Sequence, residues 1–148
     1  MQKNTVWVFG DQLNRHIGAL RDATPESHRV LIIESEQKIA SKRWHVQRAH
    51  FIVASMRRFA QELAADGFEV DYRLATTMRS GLNAHIAEFQ PEEVVATEPN
   101  SYSAREMLKN MPVRCVKSDQ FLCHPDAYRE FMGVRKTVKM EDFYRWQR

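Results

Sequence analysis

Thr5-Val6-Trp7-Val8-Phe9-Gly10-Asp11-Gln12-Leu13 decides the fold. Five β-prone residues run without a polar break, apart from the opening Thr, and stop at a Gly-Asp pair. That is the pattern of a buried strand delivering the chain into a polar turn. Four more segments repeat it. Arg29-Val30-Leu31-Ile32-Ile33 ends at Glu34-Ser35-Glu36, and Glu93-Val94-Val95-Ala96-Thr97 closes at Glu98-Pro99. Phe68-Glu69-Val70-Asp71-Tyr72-Arg73-Leu74 alternates, as an edge or half-covered strand does, and Val113-Arg114-Cys115-Val116-Lys117 is the fifth.

Helical patterns lie between them. The longest covers residues 44–66, with Ala49, Ile52, Val53, Met56, Phe59, Ala60 and Leu63 at the three-and-four spacing of one buried face. Gly67 stops it. Residues 82–89 form a second helix with Leu82, Ile86 and Phe89 on one side, and residues 101–111 a third, with Ser101 as N-cap. Two further helical pieces are expected at 125–132 and 140–147. Strands alternating with helices imply an α/β fold, a Rossmann-like or flavodoxin-like five-stranded parallel sheet with helices on both faces. Residues 1–120 hold this domain. Residues 121–148 leave the alternation and read as a C-terminal helical extension.

The chain has 148 residues, enough for one domain, and 43% of them are hydrophobic, which excludes wholesale disorder. No apolar run approaches the ~18–20 residues of a membrane span. The opening MQKNTVWVFGDQL does not read as a secretory signal. Two cysteines, Cys115 and Cys123, are too few for a disulfide framework or a four-cysteine metal site, so a reduced, cytoplasmic protein is the expectation. The net charge is +3, and all of it sits in residues 129–148, where six basic residues face three acidic ones.

In open α/β sheets ligands sit outside the carboxyl ends of the strands. Three polar segments occupy such positions: residues 9–13, 34–36 and 97–100. Gly10 lets a ligand approach the backbone, and the amides of Gln12 and Asn100 suit a flat heterocycle. The alternative for Asp11, Ser35 and Ser101 is that each caps a helix or turn. Neither G-x-G-x-x-G nor G-x-x-x-x-G-K-[ST] occurs, which disfavours dinucleotide binding and P-loop phosphoryl transfer. The six histidines have no metal-ligand spacing, and no G-x-S-x-G elbow is present. No catalytic or metal-binding residue is expected. The C-terminal stretch mixes Arg135, Lys136, Lys139 and Arg145 with Phe143, Tyr144 and Trp146. Such a mixture stacks on nucleic acid, docks a helix on a neighbouring domain, or forms a solvated helix. The crowding of aromatics favours docking.

Val8-Phe9-Gly10-Asp11-Gln12-Leu13-Asn14 resembles the strand and turn that open the deoxyribodipyrimidine photolyase-related proteins, the bacterial iron–sulfur cryptochromes and (6-4) photolyases. The stretch from Phe51 to Leu63 is similar to the family's first long helix, and Gly67-Phe68-Glu69-Val70-Asp71-Tyr72 to the strand after it. Thr97-Glu98-Pro99 and the stretch from Arg135 to Arg145 fit as well. The resemblance implies an N-terminal antenna domain that binds a light-harvesting chromophore, 6,7-dimethyl-8-ribityllumazine in typical members, and passes excitation to a flavin for light-dependent DNA repair or blue-light sensing. FAD, a 4Fe-4S cluster and the DNA contact belong to a larger helical domain, the expected partner in cis or trans. By position the chromophore site falls on Phe9, Gly10, Asp11, Gln12, Ile33, Glu34, Glu36, Lys38 and Ile52, with Glu98 and Asn100 on the rim. Arg135, Lys136, Phe143, Tyr144 and Trp146 would face the helical domain.

One departure stands out. The family commonly places an acid a few positions after Glu34, where it bonds the chromophore. This chain has Lys38 there and Glu36 two residues before it, so Glu36 substitutes, the ligand differs, or the pocket stays empty. With no flavin-binding domain or cluster cysteines within residues 1–148, the chain alone is not expected to repair DNA. It reads as a fragment or a stand-alone relative of the antenna domain. Two other readings fit the same residues. One is a generic nucleotide-binding α/β module, laid out like universal stress or adenine-binding proteins. The other is a scaffold whose last helix docks a partner.

Overall fold

A computed structural model describes residues 3–41, 43–135 and 137–148. The strands are β1 (Asn4–Val8), β2 (His28–Ser35), β3 (Glu69–Ala75), β4 (Val94–Thr97) and β5 (Arg114–Val116). They form one parallel sheet in the order β3-β2-β1-β4-β5. The three inner strands are buried almost throughout, whereas β3 at one edge is half-exposed, as its alternation requires. The chain steps outward from β1 through β2 to β3, then returns to the other side of β1 for β4 and β5. The strand order therefore reverses between β1 and β4.

Alternate residues of each strand feed two cores. Val6, Val8, Val30 and Ile32 pack under α1 (Gly18–Arg21) and α3 (Val46–Ala65), through Leu20, Met56, Phe59 and Leu63. Trp7, Leu31, Ile33, Val94 and Ala96 pack on the opposite face under α4 (Met78–Phe89) and α5 (Tyr102–Lys109), through Leu82 and Leu108. The structure bears out the Rossmann-like α/β reading, with helices on both faces.

Local chemistry sets the helix ends. Gly67, at φ 92°, takes the left-handed conformation after α3, where Phe68 N–H donates to Leu63 O at 3.1 Å and Gly67 N–H to Ala64 O at 3.0 Å. That paired closure is a Schellman motif. Ser101 caps α5 as expected, accepting from Ala104 N–H. α4 begins four residues before the sequence expectation. Thr77 and Ser80 form a reciprocal capping box there, with Ser in the position where Glu or Gln is the recognisable sign. Two short helices were not anticipated: α1, and α2 (Glu36–Ala40), where a turn was expected. Ser35 caps α2, its Oγ accepting from Lys38 N–H at 3.2 Å.

After β5 the chain folds back. Asp119 Oδ1 accepts from Gly18 N–H at 2.8 Å, and Gln120 Nε2 donates to Asp11 O at 2.8 Å. α6 (Pro125–Met132) and α7 (Met140–Gln147) follow, within the expected spans. No helix among the described residues is long and apolar enough to cross a membrane.

Candidate functional site

A cavity of about 500 Å³ opens at the carboxyl ends of the inner strands, beside the point where strand order reverses. Phe9, Gly10 and Asp11 leave β1 along its floor, and Ile33, Glu34 and Ser35 come from the end of β2. One wall is α3, with Ala49, Ile52, Val53 and Met56. The opposite wall is Met78 at the start of α4 with Ser103, Ala104 and Met107 of α5, while Pro99 and Ser101 follow β4. Lys38 and Ile39 of α2, Trp44 and Arg48 complete the mouth.

The apolar stripe of α3 thus serves two purposes. Its second half, from Met56 through Phe59 and Ala60 to Leu63, is buried in the core. Its first half, Ala49, Ile52 and Val53, is only partly covered and faces the cavity. Periodicity alone reports one continuous face, because core and cavity wall ask for the same residue types. Gly10 lies where this helix crosses β1. A Cβ there would meet Met56 Sδ at 2.9 Å and Ile52 Cγ2 at 3.5 Å, so the missing side chain lets α3 close on the strand.

Glu34 is the best-held polar group in the cavity. Its carboxylate accepts from Arg57 Nε at 3.0 Å and the Arg57 guanidinium again at 2.9 Å, and from Tyr72 Oη at 2.6 Å. Burial and the neighbouring carboxylate push the Tyr72 phenol up to about 12, since each penalises a second negative charge. Glu34 is therefore a neutralised, fixed acceptor.

The structure brings Phe9, Gly10, Asp11, Ile33, Glu34, Lys38 and Ile52 together around one cavity. It does not bring in four others. Gln12 is buried beneath, its amide donating to Thr97 O at 3.3 Å and Glu98 O at 3.1 Å, so it ties the β1 turn to the end of β4. Glu36 is exposed on α2 and does not line the cavity, because the helix that replaces the expected turn carries it outward. Glu98 turns away to pair with His124 Nε2 at 2.6 Å. Asn100 donates to Gln120 Oε1 at 2.9 Å and Asp11 Oδ2 at 3.4 Å, clasping loops. Sequence reasoning missed Trp44, Arg48, Met78, Ser103 and Met107. Only packing of α3 and α5 over the strand ends unites them.

The C-terminal helices cohere through aromatics. Phe143 stands edge-on to Tyr128 and Phe131 at 5.0 and 5.2 Å, and stacks with Trp146 at 6.0 Å. Arg135 lies over the Phe131 ring at 4.6 Å and donates to the Phe131 carbonyl. Phe143 is thus turned inward, whereas Tyr144 is 64% and Trp146 46% exposed. Lys136 lies outside the described residues. Glu98–His124 and a Lys117–Asp126 pair at 2.8 Å bind this segment to the sheet. His124 Nδ1 accepts from Asp126 N–H, which assigns its ring proton to Nε2 and makes it the donor to Glu98.

The protein is an α/β domain, a doubly wound parallel sheet with a mostly apolar cavity at its switch point. The sequence model of the deoxyribodipyrimidine photo-lyase-related protein family matches residues 6–148, and the chain belongs to that family. It is similar to a (6-4) photolyase of Agrobacterium fabrum (strain C58 / ATCC 33970), 27% identical over a 155-residue alignment that covers 97% of this chain. The chain spans about a third of that curated relative's length, 31%.

Proposed function

We propose that this chain is a chromophore-binding antenna domain of a photolyase- or cryptochrome-like protein, acting in light-dependent DNA repair or blue-light sensing in the cytoplasm. The observation that carries the reading is the cavity of about 500 Å³ at the strand carboxyl ends, in a chain of the photolyase-related family. Its size lies within the ~300–1,000 Å³ usual for small-molecule sites, and its walls are apolar with a few fixed polar groups. A bicyclic heterocycle with a polyol chain, such as 6,7-dimethyl-8-ribityllumazine, fits that chemistry. Such a pigment, when bound, absorbs blue or violet light and hands the excitation to a flavin.

The protein's own part is to hold and shield. Ile52, Val53, Met56 and Met107 keep water from the ring, and Ser101 and Ser103 supply hydroxyls. Glu34, fixed by Arg57 and Tyr72, offers an acceptor that does not move. The partner is an FAD-binding helical domain carrying the 4Fe-4S cluster, in cis or in trans. Residues 121–148 are the linker toward it, with Arg135, Tyr144 and Trp146 on the approach, and DNA is contacted only through the full-length protein.

Titration of the purified chain with the ribityllumazine tests this. Saturable quenching or a shifted absorption band is expected, and Ala104→Trp, which fills the cavity, is expected to abolish it while the circular dichroism stays unchanged. A chain that leaves the spectra of lumazine, flavin and folate unaltered would sink the reading.

A further inference from the structure

Four charged side chains line the cavity: Asp11, Glu34, Lys38 and Arg48. They are not equivalent. Glu34 is neutralised by Arg57 and hydrogen-bonded by Tyr72. Asp11 follows β1 and faces the β4 side, where its carboxylate accepts from Asn100. Lys38 of α2 and Arg48 of α3 both line the cavity, and neither has a carboxylate partner among the described residues. The Arg48 guanidinium lies over the Trp44 ring, 4.9 Å from its centroid, and a cation–π contact uses none of its N–H donors. Cations at the edges of the sheet are matched to acids: Arg29 and Lys3 to Glu69, Arg73 to Asp71 and Glu88, Arg114 to Glu93. Arg57, on the same helix as Arg48, is matched to Glu34. Two unmatched cations lining an apolar cavity leave a charge that a ligand can satisfy.

We infer that the ligand of this cavity is a flat heterocycle bearing a phosphate ester, a mononucleotide-type pigment, with the phosphate held by Lys38 and Arg48 and the ring among Ile52, Met56 and Met107. The inference rests on the cavity being the pigment site proposed above. A guanidinium and a flexible ammonium are the two side chains best suited to phosphate, the first by its paired donors and the second as a point charge. The Ser103 hydroxyl, across the cavity, remains for the ring, while Ser101 Oγ caps α5. A cation at position 38 then has a reason: it selects for the anionic form of the pigment.

Riboflavin and riboflavin 5′-phosphate differ only by the phosphate and separate the possibilities. Equilibrium dialysis of the full chain against each, at low and at moderate salt, reads the preference directly. The phosphorylated flavin is expected to bind about tenfold more tightly, with the advantage shrinking as salt rises. In the Lys38→Gln/Arg48→Gln double variant the two affinities are expected to converge to within about twofold. Arg58→Gln, on the outer face of α3, keeps the wild-type ratio and controls for net charge. Equal affinity for the two flavins in the wild type, or a preference that survives the double variant, overturns the phosphate assignment and leaves the pigment cavity standing. Binding of neither flavin nor the ribityllumazine overturns the cavity reading and the phosphate assignment together.

Discussion

At the amino ends of the strands the polar groups of Thr5, Asp71 and His85 meet partners inside the protein, whereas at the carboxyl ends two cations and the Ser103 hydroxyl line an open cavity. The contrast is sharpest around His85, which is fully buried. Its Nδ1 lies 2.5 Å from Asp71 Oδ2 and its Nε2 2.8 Å from Thr5 Oγ1. Since a carboxylate only accepts, Nδ1 donates to Asp71, and Nε2 shares a hydrogen bond with the threonine hydroxyl. Arg73 adds a second donor to Asp71 at 2.5 Å. Burial pushes the Asp71 carboxyl up, and the hydrogen bonds and charges of His85 and Arg73 outweigh it, leaving it below the usual aspartate value. Such a set, bonded side chain to side chain, stabilises a fold. Recognition needs the opposite, polar side chains that line a cavity.

Breaking the closed end should cost the most. His85→Ala removes both hydrogen bonds and leaves a cavity beneath β1, so a loss of about 3 kcal/mol in urea unfolding is expected, with pigment affinity of the surviving folded protein unchanged. The Asp71 contribution is fully present above the unfolded aspartate value of about 3.9 and is lost as pH falls through its lower folded value. Asp71→Asn should therefore flatten the acid limb of the stability profile, and an unaltered limb would remove the network from the account.

The β1–α1 turn at the end of β4 comes next. Gly18 has φ 50°, and a Cβ there would collide with the Thr97 side chain, whose hydroxyl accepts from Ala19 N–H at 2.9 Å. Gly18→Ala is expected to cost about 2 kcal/mol in the same measurement, from left-handed strain plus displacement of Thr97. A neutral result would mean that the β1–α1 turn moves freely against β4.

Smaller still is the effect of Glu34→Gln at the open end. Its direct readout is the Tyr72 phenol, now at about 12, followed by ultraviolet absorbance. Removal of the carboxylate should move that titration to lower pH, because burial remains and the second negative charge does not. In the native chain, stability due to Tyr72 is full below the ordinary tyrosine value of about 10 and is lost as pH rises through 12. A Tyr72 titration unmoved by the variant would show that burial alone sets it.

The sequence made the sheet legible because each strand is a short apolar or alternating run with polar punctuation. β3 announced its edge position through the Glu69, Asp71 and Arg73 alternation. α3 and α5 announced themselves through spacing and caps. α1 and α2 did not, since four or five residues are too few for a helical period to register. The carboxyl-end rule found the floor of the cavity: Phe9 to Asp11, Ile33 and Glu34. It could not distinguish Gln12, which holds loops together from below, from Gly10 two positions earlier, because both lie in the same turn. Nor could it reach Trp44, Arg48 and Met107, which approach only when two helices close over the strand ends. Lys38 was visible as a departure from the family pattern, but its lack of a partner emerges only in three dimensions.

The central claim is that the carboxyl end binds a heteroaromatic pigment while the amino end only holds the fold. Amide chemical-shift mapping of the labelled chain, titrated with 6,7-dimethyl-8-ribityllumazine and with riboflavin 5′-phosphate, tests it most directly. The perturbed amides are expected at Gly10, Glu34, Ile52, Ser101 and Ala104, with Thr5, Asp71 and His85 unmoved. Perturbations centred on the amino end, or none at saturating pigment, would contradict it.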